Sequence, residues 1–196
     1  IALSYSDNKG VKSLYGKVDD GGYEEIPDVI TEGGTTVAKD YACVEGTHTY
    51  TFKAVDAAGN ETVTDVLTVK LDTIKPVIGD AAFNEGYKNL WNWLIRKDSL
   101  EITVPVEEAG SGIESVDYEL IREDSSTTAG RASVKKASGE NSAGYTAVIY
   151  VNPDFKGKIK ITAKDYAGNV SDTKMIGTDG SGIHGIIVED HAPEIT

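Results

Sequence analysis

The chain has 196 residues, 39% hydrophobic and 26% charged, the balance of a folded protein and enough for two small modules. Its 32 acidic against 19 basic side chains leave a net charge of −13, a surface that repels nucleic acid and anionic membranes and sets aside DNA and RNA as partners. A single cysteine excludes an internal disulfide, and no run of about 20 apolar residues predicts membrane insertion by this segment.

In chain order, most segments alternate apolar and polar residues, the period of a half-buried strand. "IALSYSD" puts Ile1, Leu3 and Tyr5 on one face, and "NKGVKSLYGKV" follows with Val11, Leu14 and Val18. Cys43 lies in the alternating stretch "DYACVEG" with no histidine beside it, which reads as a packed thiol rather than a catalytic one. "YTFKAVD" then points Tyr50, Phe52 and Ala54 inward and runs into "AVDAAGN" at 54–60. "LDTIKPVI" at 71–78 is a stiff connection, because proline fixes its own φ and restricts its predecessor.

The second half repeats this order. "EITVPVEE" presents Ile102, Val104 and Val106; "GSGIESVDYEL" presents Ile113, Val116 and Leu120. "IKITAKD" presents Ile159, Ile161 and Ala163 and enters "AKDYAGN" at 163–169. "EDHAPEIT" at 189–196 answers the earlier "LDTIKPVI". Two segments have no counterpart. "GYKNLWNWLIRKDS" at 86–99 mixes helical and strand spacing; we read it as an irregular or edge strand whose aromatic residues close one end of the second core. The glycine-rich "GTDGSGIHG" at 177–185 reads as a hairpin tip.

The shared phrase A-x-D-x-A-G-N has an architectural explanation. Gly59 and Gly168 can take positive φ without steric cost, and Asn60 and Asn169 tolerate left-handed geometry. Asp56 and Asp165 can accept hydrogen bonds from amides that the turn would leave unpaired. Short strands, regular turn signals and no long helix then predict antiparallel β-sandwiches.

On these residues the chain resembles the tandem bacterial immunoglobulin-like domains of large cell-surface and adhesin proteins. A-x-D-x-A-G-N precedes the last strand in that family, and a D-T-x-x-P junction follows, here "DTIKP" and the degraded "DHAP". The resemblance implies an all-β chain of two immunoglobulin-like sandwiches, each of seven strands when complete, the first lacking its initial strand. The expected divisions are 1–73 for the first, 74–190 for the second with loop insertions, and 191–196 as a linker or the start of a further repeat. It also implies a non-enzymatic, extracellular role as stalk, spacer or adhesion module, with neighbouring repeats of the same chain and a host, matrix or glycan ligand as partners. No cofactor is required by this reading. Calcium is the one ion it suggests: the loops carrying Glu107, Glu108 and Asp165 should meet the linker that carries Asp72, and Asp72, Glu108 and Asp165 are the expected ligands.

A second class of function rests on Trp91 and Trp93, since exposed aromatic rings stack on sugars. The chain would then be an accessory carbohydrate-binding module of a secreted carbohydrate-active enzyme. Catalysis within these residues has little to stand on. His48, His184 and His191 lack metal-ligand spacing, and no nucleophile elbow, phosphate loop or assignable carboxylate pair is present.

Overall fold

The computed structural model describes residues 1–29, 32–33, 36–138, 143–177 and 183–191. The described residues are all-β, and the chain divides into two compact units, Ile1–Asp72 and Thr73–Thr196. Each is a β-sandwich, two sheets around its own hydrophobic core. The tip of the glycine-rich segment and the residues after His191 lie outside the described residues.

The first unit contains β1 (Ala2–Tyr5), β2 (Val11–Val18), β3 (Glu24–Ile26), β4 (Val37–Asp40), β5 (Gly46–Asp56), β6 (Glu61–Val63) and β7 (Leu67–Leu71). One sheet is the pair β1–β4; the other runs β3–β2–β5–β6, with β7 also pairing β5. Tyr50 and Phe52 enter the core from β5 as their alternation predicts, joined by Tyr5, Val11, Leu14, Ile26 and Val29. Tyr41 packs edge-on against Tyr50 and Phe52, with ring centroids 6.1 and 5.1 Å away. The Tyr50 hydroxyl, though inside, accepts a 2.8 Å bond from the Val44 amide. Cys43 is half-buried against this same core.

The second unit contains β8 (Val77–Ile78), β9 (Ala82–Phe83), β10 (Lys88–Leu90), β11 (Trp93–Arg96), β12 (Leu100–Glu107), β13 (Ile113–Arg122), β14 (Thr127–Arg131), β15 (Ser133–Lys136), β16 (Gly144–Val151), β17 (Phe155–Asp165), β18 (Lys174–Ile176) and β19 (Gly185–Val188). One sheet runs β15–β16–β12–β8, with β9 also on β12; the other runs β10–β11–β19–β17–β13–β14, with β18 also on β17. Between them lies a dry interior. Ile102, Val104, Val106, Val116, Ile159, Ile161 and Ala163 are all fully enclosed, every second residue of their strands. Each large aliphatic among them contributes about 1.5–3 kcal/mol of burial.

Two expectations need correction. The second unit has twelve strands among its described residues rather than seven, and two of the additions, β10 and β11, form a hairpin that extends one sheet. This hairpin enters by a parallel pairing of β11 with β19, so the sandwich is not purely antiparallel. Within residues 86–99 the edge-strand reading holds for Lys88–Leu90 and Trp93–Arg96, with β10 at the sheet edge. Nor do both tryptophans close the core: Leu94 does so at 2% exposure, whereas Trp91 stands 85% exposed. Position explains the difference: Leu94 is an inward-facing residue of β11, while Trp91 lies in the turn between β10 and β11.

The same defect recurs in both units. β2 shifts register against β5 between Val11 and Ser13, and β13 shifts against β17 between Ile113 and Ser115. Each bulge stands at the end of its strand nearest the repeated turn, where Val11 faces Asp56 and Ile113 faces Asp165.

Candidate functional site

The repeated turns coincide almost bond for bond. In the first, the Asp56 amide donates to the Asn60 carbonyl at 3.0 Å and the Gly59 amide to the Asp56 carbonyl at 3.2 Å. In the second the corresponding distances, Asp165 to Asn169 and Gly168 to Asp165, are 3.1 and 3.2 Å. The aspartate carboxylate closes each loop. Its Oδ1 accepts the asparagine amide at 2.8 Å in both turns, and its Oδ2 accepts the asparagine Nδ2 at 2.7 Å in one and 2.8 Å in the other. The glycines hold φ of +90° and +98°. The Asn60 side chain, then its backbone amide, hold the Asp56 carboxyl below its ordinary value. These aspartates cap turns.

Their surroundings differ. Asp56 is partly exposed, while Asp165 is fully enclosed. Asn169 also donates to the Ile74 carbonyl at 3.4 Å, so the segment that opens the second unit lies against this turn. Glu108, just past the end of β12, is buried as well and its Oε1 accepts the Gly110 amide at 2.5 Å. Carboxylate oxygens of Glu108 and Asp165 lie within 4.8 Å of each other. Two buried carboxylates so close repel strongly unless a cation or a proton intervenes. Hard oxygens in this arrangement fit calcium, which takes six to eight of them and draws the rest from carbonyls and water. Asp72, the third residue expected at this site, is the last residue of the other unit.

Sequence reasoning missed the counterpart of Glu108. Asp7 follows β1 as Glu108 follows β12, and its Oδ1 accepts the Lys9 amide at 2.7 Å. The signal was present in the aligned strands "IALSYSD" and "EITVPVEE", which end on corresponding acids.

The two tryptophans are placed apart in role. Trp91 and Asn92 form a two-residue hairpin turn with φ of +51° and +63°, the geometry that asparagine and glycine favour and a bulky ring does not. Trp93 instead borders a cleft of about 310 Å³ together with Arg122, Glu123, Lys158 and His184. Lys156 sits 5.2 Å from its ring centroid and the His184 ring 6.0 Å away. Glycine at 185 permits this, because a Cβ there would collide with the indole.

Of the remaining histidines, His48 bonds Asp19 through Nδ1 at 2.7 Å and the Glu45 carbonyl through Nε2 at 2.9 Å. The Asp19 bond raises the His48 pKa, and the same contact lowers that of Asp19. His191 pairs with Asp154 and Asp190 at the surface. Among the described residues no helix is long and apolar enough to cross a membrane.

No family model matches the chain, and no curated relative does. Among solved structures it is similar to the fibronectin(III)-like modules of Clostridium thermocellum CbhA, at 16% identity over 100% of this chain and 90% of that one, with a TM-score of 0.35.

Proposed function

We propose that this chain is a non-enzymatic, extracellular pair of immunoglobulin-like modules from a bacterial surface protein, serving as stalk, spacer or adhesion module. The observation that carries it is the matched pair of turns. The phrase most suggestive of chemistry is consumed, in both units, by hydrogen bonds that close a loop. In each turn both carboxylate oxygens accept a bond from the turn's own asparagine, so Asp56 and Asp165 have a structural task that accounts for the phrase. Pulling the chain in a force spectrometer should give two separate unfolding events of moderate force. Substrate turnover by the purified chain across a panel of hydrolase assays would overturn the reading.

Calcium belongs to this proposal as a stiffening ion, with Glu108 and Asp165 as the two buried ligands. Asp72 joins them on chain order alone, standing two residues before the Ile74 carbonyl that meets Asn169. Calorimetric titration should show heat at up to millimolar calcium and a higher melting temperature for the second unit. Glu108→Gln should abolish both effects. Absence of heat in the native chain removes calcium from the account without touching the structural role.

One observation favours a second reading as a carbohydrate-binding module: Trp91 is held outward on a turn that strains it. A glycan array should then show binding that Trp91→Ala and Trp93→Ala remove. An array blank for the native chain eliminates this reading.

A further inference from the structure

The solvent face of β17 carries a row of lysines. Alternation turns Lys156, Lys158, Lys160 and Lys164 outward while Phe155, Ile159, Ile161 and Ala163 enter the core. Three of the four meet a glutamate: Lys156 lies 2.9 Å from Glu123, Lys160 3.5 Å from Glu119 and Lys164 2.8 Å from Glu114. Opposite charges on neighbouring strands are the ordinary way to stabilise such a face. Lys158 breaks the row. Its cross-strand neighbour is Ile121, and it forms no ion pair among the described residues.

At that break the surface opens into the cleft of about 310 Å³ bordered by Trp93. Lys158 shares its wall with Arg122, which makes no ion pair among the described residues either. The Arg122 Nη1 donates to the Thr128 hydroxyl at 2.8 Å, and the guanidinium lies 5.8 Å from the Phe155 ring centroid. These contacts position the group without cancelling its charge. Glu123 also lines the cleft, but Lys156 already neutralises it. The rest of the wall is aromatic: Trp93 lies over Gly185, and the His184 ring stands 6.0 Å from it. One small concavity thus joins two uncompensated cations to an indole, on a chain whose net charge is −13.

We propose that this cleft binds a uronate residue of an acidic glycan. The sugar carboxylate takes the place on Lys158 that glutamates fill along the rest of the row, Arg122 adds a second cation to it, and the apolar face of the ring packs on Trp93. A sugar acid suits the site because it is anionic at one edge and apolar on one face. The volume stands at the lower end of small-molecule pockets, about 300–1,000 Å³, which fits a short saccharide unit. Uronate binding here rests on the carbohydrate-binding reading above and supplies its ligand class.

Calorimetric titration of the intact chain with galacturonate, glucuronate and mannuronate trisaccharides, each beside its methyl ester, tests this, since the ester keeps the sugar and removes the charge. At least one acid should bind roughly tenfold or more tightly than its ester. Lys158→Gln should remove that preference and leave ester binding unchanged. Lys160→Gln deletes the same charge from a lysine that already has Glu119, and should leave acid binding within about twofold of native. Trp93→Ala should weaken acid and ester alike. Acids and esters binding equally would overturn the proposal, as would equal losses from Lys158→Gln and Lys160→Gln, which would reduce the effect to general surface charge. A glutamate-rich peptide that binds as tightly as the acids would also overturn it and make an acidic protein segment the occupant. Absence of binding by every acid at millimolar concentration refutes uronate recognition, and a glycan array that still responds would show the carbohydrate reading standing without it.

Discussion

The two units close the same turn and build different interiors behind it. In the second, β17 buries Phe155, Ile159, Ile161 and Ala163 at 2% exposure or less, between sheets of seven and five strands. In the first, the corresponding strand buries Tyr50 and Phe52, and among the described residues the opposing sheet is β1 and β4. One turn thus closes over two interiors of different make-up. The core of the first unit leans on Tyr50 and Phe52 with Tyr41 edge-on to both, where the second distributes its burial over many aliphatics.

The largest effect should come from Phe52→Ala. Removing a buried ring costs about 3–5 kcal/mol, more than a small sandwich can spare, so the first unit should unfold while the second retains its own calorimetric transition. Loss of both transitions together would mean that the units do not fold separately. Asp165→Ala should come next, at about 1–3 kcal/mol for the stranded amides of an enclosed turn. Asp56→Ala breaks the same bonds where water can replace them and should cost clearly less. Equal losses on thermal unfolding would break the distinction between an enclosed and an exposed copy.

Gly59→Ala and Gly168→Ala should each cost roughly 1 kcal/mol, because both positions hold positive φ and no atom lies close enough to obstruct a methyl group. Similar values sharpen the claim that the turns are equivalent; a large difference would show that one has a further role. The smallest effect should be pH. His48 has its pKa raised in the folded state by Asp19, so the stability it adds is fully present below its ordinary pKa of about 6.5 and disappears as pH rises through the raised value. The first unit should therefore melt at a slightly lower temperature at pH 8 than at pH 5.5, and His48→Asn should flatten that trend. Screening at this exposed pair keeps the change modest.

Much of this was legible in the sequence because it is local. Period-two alternation identified the inward faces of β5, β12 and β17, and A-x-D-x-A-G-N specified a glycine with positive φ and an aspartate that caps. What escaped is non-local. The parallel contact of β11 with β19 joins segments far apart in the chain, and nothing in "WNWLIR" announces it. The bulges escaped too, since an extra residue is defined only against the opposite strand. Trp91 was misjudged because hydrophobicity suggests burial, whereas its position on a two-residue turn leaves the ring nowhere to pack. Glu108 and Asp165 were brought together by resemblance rather than by spacing, and no local pattern would have paired them.

The parallel seam between β11 and β19 also gives β19 an unusual grip. That strand is held along β11 by Trp93–Arg96 and along β17 by Phe155–Gly157, one neighbour running with it and one against it. Detaching β19 from the sheet must therefore break pairings on both of its sides, one set parallel and one antiparallel.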